Sequence, residues 1–566
     1  MMRLLMDLLG AMLVLSGASA AEDLEESEIE RFQHYAAHPL RINQVPRSKM
    51  LSSGLLSAYQ VAALEEYRSM SGDILGPGEL ALVDGIGPLV AEALVCFVSF
   101  ESRLPPGARR DRRVRQTIMV RGGVRSRGAD TASFAGAKYH VGAGERWEFF
   151  WSSRNSYSAG DFTPGTFSAA IYGNRGWKLV AGDFSARFGQ GLALWSGFSP
   201  SGFSSVSAFK RNASGLAPTG SFSPAFRGLA GDFSAGRWTF SAALALPGLR
   251  ERMDGDTAAV AVAMPVLAAS RLGRRSSIGA LVYYCGGPVV SADWTVGISH
   301  FTLFGEVAAS SRRLVLDGTA ILRTRAAALC ALVWSPAYML KFSALARYYP
   351  SGYDDTFSGA VRSASRMAGE SGFSLGGKWR TVEFTADAAR YPDKGTWSFK
   401  GLAVYSPVFR AGEFEINPVL RLTERRRTAD SPLWRHELRS DLKLSVRGAQ
   451  LNCRFDAVRM KSDALAAYAE AGYKTPADTA RVRLSAFVRA TVFRVDNWDD
   501  RIYFYERDIP GSFSVPALYG RGRSFSAFFG VKTSRHSLYV KASLLRYPAG
   551  ERPSAAEVRL QYQLEL

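Results

Sequence analysis

The chain of 566 residues predicts a membrane-spanning antiparallel β-barrel preceded by a small all-helical domain. Three observations carry this. Apolar and polar residues alternate with period two in segments of about ten residues, the length a tilted strand needs to cross a bilayer. No stretch after the first twenty residues stays apolar for the ~20 residues a membrane helix requires. The chain also ends on an amphipathic strand. Glycine (54) and aromatic residues (34 Phe, 22 Tyr, 11 Trp) suit many short strands and turns.

At the N-terminus, residues 1–20 read as a secretory signal: basic Arg3, an apolar run from Leu4 to Leu15, and the small-residue site Ala18-Ser19-Ala20. The expected location is therefore the cell envelope. Residues 21–103 hold 13 acidic and 6 basic side chains, and residues 104–566 hold 37 acidic and 63 basic ones, so an acidic module precedes a strongly basic domain. Within the module, residues 24–39 look helical up to His38-Pro39, because the residue before proline leaves α geometry. Ala58 to Tyr67, Glu79 to Val83 and Leu89 to Val98 read as further helices on apolar spacing. Leu104 to Arg113, with prolines, a glycine and four arginines, is the expected linker.

From residue 114 onward the period is two. Trp238, Phe240, Ala242, Leu244 and Leu246 share one face; Val382, Phe384, Ala386 and Ala388 another; Leu442, Leu444 and Val446 a third. In the run from Ala480 to Val492, Arg481, Arg483 and Arg489 occupy the second face. A charge facing lipid at mid-bilayer costs ~2–4 kcal/mol, so these arginines are expected in the lumen, favouring anions there. The final strand puts Val558, Leu560, Tyr562, Leu564 and Leu566 on one face and Arg559, Gln561, Gln563 and Glu565 on the other. A closing strand of this form suits recognition by barrel-assembly machinery. At ~20–25 residues per strand and turn, the domain holds roughly 18–24 strands.

Leu82-Val83-Asp84-Gly85-Ile86-Gly87, followed by Pro88 to Leu94, resembles a helix-hairpin-helix motif. Its glycines permit positive φ, and the hairpin leaves N–H groups free at a helix N-terminus, where such modules hold DNA phosphate. Thirty residues earlier, Leu55, Leu56 and Ser57 stand where Gly85, Ile86 and Gly87 stand in the intact hairpin. The pair resembles a tandem competence-type DNA receptor module. DNA binding is opposed by the net charge of −7 in residues 21–103 and by the lost glycines, so a plug or a docking site for a periplasmic protein partner is the leading expectation.

The whole chain resembles a family of Gram-negative envelope proteins in which a signal peptide and this module precede a large outer-membrane barrel. Gly182 to Phe198, with Arg187, Gln190 and Trp195, carries the resemblance, together with Lys210-Arg211-Asn212, Tyr505 to Gly511 (Glu506, Arg507, Asp508) and Tyr519 to Gly522. The family implies an architecture and no activity. Gly182 to Phe198 reads either as a bent strand with an inward loop or as a plain hairpin. The charges at 506–508 suit ligand contact or local salt bridges. Partners expected are outer-membrane lipid and lipopolysaccharide, to which the basic domain is complementary. His34 and His38 with Glu30 lack a further metal ligand, and His140, His300, His436 and His536 are isolated, so neither a metal, another cofactor nor an enzyme is expected. Three functions remain: an outer-membrane pore or transport component with a plug, a DNA-uptake component, and a structural protein with a filled lumen.

Overall fold

The computed structural model describes residues 31–102 and 114–566, less positions 33 and 37 and several short segments, of which 158–164, 198–209 and 248–262 are the longest. The signal segment, the 104–113 linker, Glu30 and Arg481 lie outside the described residues.

The helical module contains α1 (Arg47–Ser53), α2 (Ala58–Ser71), α3 (Pro77–Leu82) and α4 (Gly87–Leu94). Its ends are tied by a parallel bridge that sets Leu40 against Val98 and Arg41 against Ser99. That pairing draws Val98 out of the helix its apolar spacing suggested and ends α4 earlier. Phe32, Ile42, Met50, Leu55, Val61, Leu64, Leu80, Ile86, Leu94 and Phe97 form one buried core. Ser57 caps α2: its Oγ accepts from the Gln60 N–H at 3.3 Å, and Gln60 Oε1 accepts from the Ser57 N–H at 2.9 Å. The same Gln60 donates through Nε2 to the Gly85 carbonyl at 2.8 Å, which joins the two helix–turn–helix units. Gly85 and Gly87 have φ of 77° and 67°. In the first unit the left-handed position is taken by Gly54 (φ 64°), one residue before the register in which a glycine was expected.

The remaining chain closes into an antiparallel ring of 24 strands among the described residues, at the upper end of the expected range. They are β1 (Val114–Arg127), β2 (Asp130–Ala143), β3 (Trp147–Arg154), β4 (Thr166–Tyr172), β5 (Trp177–Arg187), β6 (Phe226–Ala235), β7 (Trp238–Pro247) and β8 (Met264–Leu272). There follow β9 (Ser276–Tyr284), β10 (Pro288–Ile298), β11 (Phe301–Leu316), β12 (Thr319–Ala337), β13 (Leu340–Tyr349), β14 (Glu370–Trp379), β15 (Val382–Tyr391) and β16 (Thr396–Tyr405). The last eight are β17 (Phe414–Arg426), β18 (Trp434–Val446), β19 (Ala449–Arg459), β20 (Asp463–Lys474), β21 (Arg483–Val495), β22 (Gly520–Lys532), β23 (His536–Arg546) and β24 (Ala555–Glu565). Short strands Gly215–Pro218 and Phe409–Ala411 pair beside β5 and β17. The ring closes where β24 pairs with β1, Tyr562 opposite Val120 and Leu560 opposite Gly122.

Alternation sorts the two faces. Val558, Leu560 and Tyr562 are exposed on the outside of β24, while Gln561 is buried inside. Trp238, Phe240, Leu244 and Leu246 do the same on β7, and Val382 and Phe384 on β15. Aromatic residues ring both ends of this outer face: Trp147, Trp177, Trp238 and Trp379 at one, Tyr284, Tyr348, Trp397 and Trp434 at the other. The ends differ in their connections. Ser299, Met339, Arg380 and Arg447, the four described non-glycine residues with positive φ, all sit in tight turns at the end that also carries Leu566. Left-handed residues match hairpin turns to the strand twist. The long connections after β5, β13 and β21 leave and rejoin the ring at the opposite end.

Candidate functional site in the barrel lumen

Four assemblies of buried polar side chains line the inner wall, and each fixes a segment that enters the lumen. At the tight-turn end the wall meets the helical module. Lys178 of β5 points inward and is fully buried; its Nζ lies 2.6 Å from Asp232, its cross-strand partner on β6, and 2.5 Å from Ser52 Oγ at the end of α1. It also donates to the Leu216 carbonyl. Arg47 of α1 donates to the carbonyl of Gly236, in the β6–β7 turn, at 2.9 Å. Lys49 stands 5.4 Å from the centre of the Tyr172 ring, and Tyr172 donates to Glu148. His34 meets His140 of β2 edge-on with ring centres 5.0 Å apart, and His140 stacks on Phe150 at 4.3 Å. Burial, then His140 and His38, hold the His34 imidazole well below the usual histidine range. Asp84 of the intact hairpin lies 3.7 Å from Arg275 in the β8–β9 turn, a solvent-exposed pair of little energetic weight.

From the other end, the turn after β5 folds inward. Gly189 and Gly191, with φ of 57° and 85°, bring successive backbone N–H groups to one side. The Glu306 carboxylate of β11 fills this cradle and accepts from the N–H groups of Gln190 (2.7 Å), Leu192 (2.9 Å) and Ala193 (3.3 Å). A Cβ on Gly189 would come within 2.6 Å of that carboxylate, so glycine is required there for space as well as for φ. The loop before β14 packs on this turn: Gly359 N–H donates to Gly191 O at 2.8 Å, Trp195 N–H to Phe357 O at 2.8 Å, and Tyr353 Oη to Leu192 O at 3.1 Å. Arg187 donates to Ser196 O at 2.6 Å; Gln190 Oε1 accepts from the Arg211 N–H at 3.0 Å; and the Arg187 and Arg211 guanidinium groups lie 5.6 and 4.7 Å from the centre of the Trp195 ring.

The 350–369 connection has its own anchor. Arg347 of β13 bonds Glu370 at 2.5 Å and Asp387 at 2.7 and 3.0 Å, and the Ser363 N–H donates to both Glu370 oxygens at 3.0 and 2.9 Å. The third connection, 496–519, returns into the lumen on charges. Glu506 lies 3.1 Å from Lys541 of β23; Arg507 bonds Glu470 of β20 at 2.8 Å; Asp508 bonds Arg559 of β24 and lies 3.8 Å from Lys541. Arg489 of β21 binds the same Glu470 at 2.8 Å and donates to the Tyr505 carbonyl at 2.6 Å. Arg121 of β1 donates to Gly511 O at 3.0 Å.

The residues singled out in the sequence thus fall in two groups. Arg187, Gln190, Trp195, Glu506, Arg507 and Asp508 all take part in holding inward segments. Arg483 and Arg489 share the inward face of β21, where Glu470 balances the Arg489 charge. In the module, Leu55 and Leu56 are core side chains, Ser57 is a helix cap, Ile86 is buried, and Gly85 and Gly87 shape the second turn. Among the described residues no group of three or more His, Cys, Asp or Glu side chains is placed to hold a metal ion. Sequence reasoning missed Lys178, Glu306, Arg347 and Lys541. Their available signal was a lone charge at an inward position flanked two residues away by small or apolar ones, as Phe304 and Ala308 flank Glu306.

No protein-family model matches the chain, and no curated protein matches it. Among solved structures, it is similar to the P pilus usher (PapC) translocation pore, at 10% identity over 80% of this chain and 99% of that one, with a TM-score of 0.41. A second is a chain of the E. coli P pilus tip assembly intermediate PapC-PapD-PapK-PapG in the second conformation, at 10% identity over 83% of this chain and 63% of that one, with a TM-score of 0.48. A third is Pseudomonas aeruginosa OccK2 (OpdF), at 9% identity over 81% and 98%, with a TM-score of 0.31. The chain is an outer-membrane-type barrel on its own strand pairing and outward apolar face, without reliance on these overlaps.

Proposed function

We propose that the protein is an outer-membrane transport pore closed by its own N-terminal module from the periplasmic side and narrowed by inward loops from the outside. The observation that carries this is the buried junction of Lys178 with Asp232 and Ser52, where the barrel wall commits a fully buried charge to a helix of the module. Dimensions support it. Twenty-four strands ~4.8 Å apart and tilted by ~40° give a perimeter of ~150 Å and a backbone diameter of ~48 Å if the ring is circular. Inward side chains, at about half the ~10 Å spacing of packed sheets on each side, leave ~38 Å. A compact chain the length of residues 31–102 has a radius of gyration of ~11 Å, hence a diameter of ~29 Å. The module therefore occupies somewhat over half of the cross-section, and the loops take up much of the rest.

A filled-lumen structural protein is the second reading, favoured by the Glu306 and Arg347 anchors, which tie the loops to the wall rather than leave them hinged. DNA uptake has weaker support: the module is acidic, and Leu55 and Leu56 are spent on its core. Planar-bilayer recording separates the first two. The full-length protein is expected to be silent or poorly conducting, and removal of residues 21–103 to raise conductance severalfold, with heat-modifiable gel migration retained. A truncated barrel that migrates as folded and conducts no better than the full chain overturns the plug.

A further inference from the structure

The strands β21–β23 carry an outward-facing cluster of arginines at the rim opposite the module. Arg494 of β21 stands directly across from Arg521 of β22, and Arg523 of β22 directly across from Arg546 of β23. All four are exposed on the outer face of the ring. Like charges directly opposite across strands are destabilising. Among the described residues Asp496 is the one carboxylate within 4.0 Å of any of them, 3.4 Å from Arg494 and 3.2 Å from Arg521, which leaves the cluster three positive charges in excess. Beside and below the arginines the same face turns apolar. Val492 lies across from Arg523 and Leu465 of β20 across from Arg494; Phe455 of β19 continues the Val492 row, and Phe525, two residues further along β22, is the next outward side chain from the rim, all four exposed. Arginines and apolar side chains together line a groove of about 770 Å³. Charge thus stands at the rim on β21–β23, with apolar surface beside it on β19–β21 and one row (~7 Å) further from the rim at Phe525.

A protein does not suit a face that the aromatic girdles place against lipid, whereas an amphiphile with phosphate at the interface and chains beside and below it meets both parts of the surface. We propose that this groove binds a phosphorylated, multiply acylated glycolipid of the adjoining leaflet, with Arg494, Arg521, Arg523 and Arg546 on its phosphates and Phe455, Leu465, Val492 and Phe525 against its acyl chains. Guanidinium groups suit phosphate because their donors form a fork of matching geometry. The inference rests on the barrel and its outer face and is independent of whether the lumen conducts.

Native mass spectrometry of the full-length protein in detergent tests it, with bis-phosphorylated lipid A, dephosphorylated lipid A, phosphatidylethanolamine and inorganic phosphate as probes. Bis-phosphorylated lipid A is expected to bind in preference to the other three. The double variant Arg523→Ser/Arg546→Ser is expected to weaken it about 100-fold, as the loss of two charge-assisted contacts implies. Asp496→Asn, which removes the competing carboxylate, is expected to strengthen it, and this variant serves equally if the double variant fails to fold. Equal binding of phosphatidylethanolamine or dephosphorylated lipid A overturns the proposal. So does inorganic phosphate binding as tightly as the lipid, or an affinity unmoved by both variants.

Discussion

Replacing Glu306 with alanine strips the acceptor from three buried N–H groups, those of Gln190, Leu192 and Ala193. An unsatisfied buried donor costs ~1–3 kcal/mol, so leaving all three unpaired costs ~3–9 kcal/mol. The loop does not have to bear the upper figure, because it escapes by leaving the wall and hydrating its amides. The lower figure is then the free energy by which the inward state loses ground. Taking ~3 kcal/mol, at a tenfold change per ~1.4 kcal/mol, the open population rises by about 100-fold. Glu306→Gln is the informative companion. An amide keeps one carbonyl oxygen, enough for the two bonds that Oε2 accepts, and presents an NH₂ to the Ala193 N–H; one lost bond of ~1–1.5 kcal/mol opens the loop about tenfold. Amide hydrogen exchange read by mass spectrometry over 188–197 measures this directly, because exchange in the inward state tracks loop opening. The reasoning fails if Glu306→Ala exchanges this segment at the wild-type rate, or if alanine and glutamine behave alike.

Three further outcomes follow from the other anchors. His34 is held neutral where it meets His140, His38, Glu148 and Lys49. Above the ordinary histidine pKa of ~6.5 both the docked and the released module carry a neutral His34. As pH falls through ~6.5 the released state takes up the proton that the docked state refuses, so docking weakens on acidification. Exchange over residues 31–102 between pH 7.5 and 5 should show this weakening, and a His34→Phe chain with an unchanged pH profile would refute it. Gly85→Ala is expected to cost ~1–2 kcal/mol for its left-handed backbone, plus a clash with the Tyr59 ring, which lies 2.5 Å from the new Cβ. Gly87→Ala meets nothing within 4 Å and should show the backbone cost alone, as exchange protection over α2–α4 will report. Asp508→Asn withdraws the buried carboxylate facing Arg559 and Lys541 and should destabilise the inward 496–519 segment by ~3–5 kcal/mol. Faster tryptic cleavage in that segment is the expected result, and unchanged cleavage counts against a buried role for the charge.

The barrel was legible because its signal is local and repeated. A strand facing lipid on one side and a packed polar interior on the other must alternate, so β7, β15 and β24 declare both faces in ten residues or so. Helices α2 and α4 were legible for the same reason at a different period. What stayed hidden depends on partners far along the chain. The cradle at 189–193 is completed by a carboxylate more than 110 residues away. Before folding, Gly182 to Phe198 reads equally as a hairpin or an inward turn, since the glycines permit both and only Glu306 decides. Gly54 escaped because the motif register looks for glycine at positions 55 and 57, whereas the first unit turns one residue earlier and uses Ser57 as a cap. Glu506, Arg507 and Asp508 read as neighbours able to pair with one another; the fold separates them onto Lys541, Glu470 and Arg559.

Charge placement ties the inside of the ring to its outside. The basic domain holds 63 cationic against 37 anionic side chains, and an arginine-lined, anion-favouring lumen is the simplest expectation from that surplus. Several buried cations of the inner wall are matched: Lys178 faces Asp232, Arg347 faces Glu370 and Asp387, Arg489 and Arg507 share Glu470, and Lys541 faces Glu506 and Asp508; Lys474 instead stands among Arg507, Lys443 and Arg483. Matching is what burial demands at those positions, because an unpaired charge removed from water costs several kcal/mol. At the rim of β21–β23 the constraint is reversed. Arginines there face one another across strands with one carboxylate among them, an arrangement that is costly in an isolated chain and that the proposed phosphate-bearing lipid would relieve.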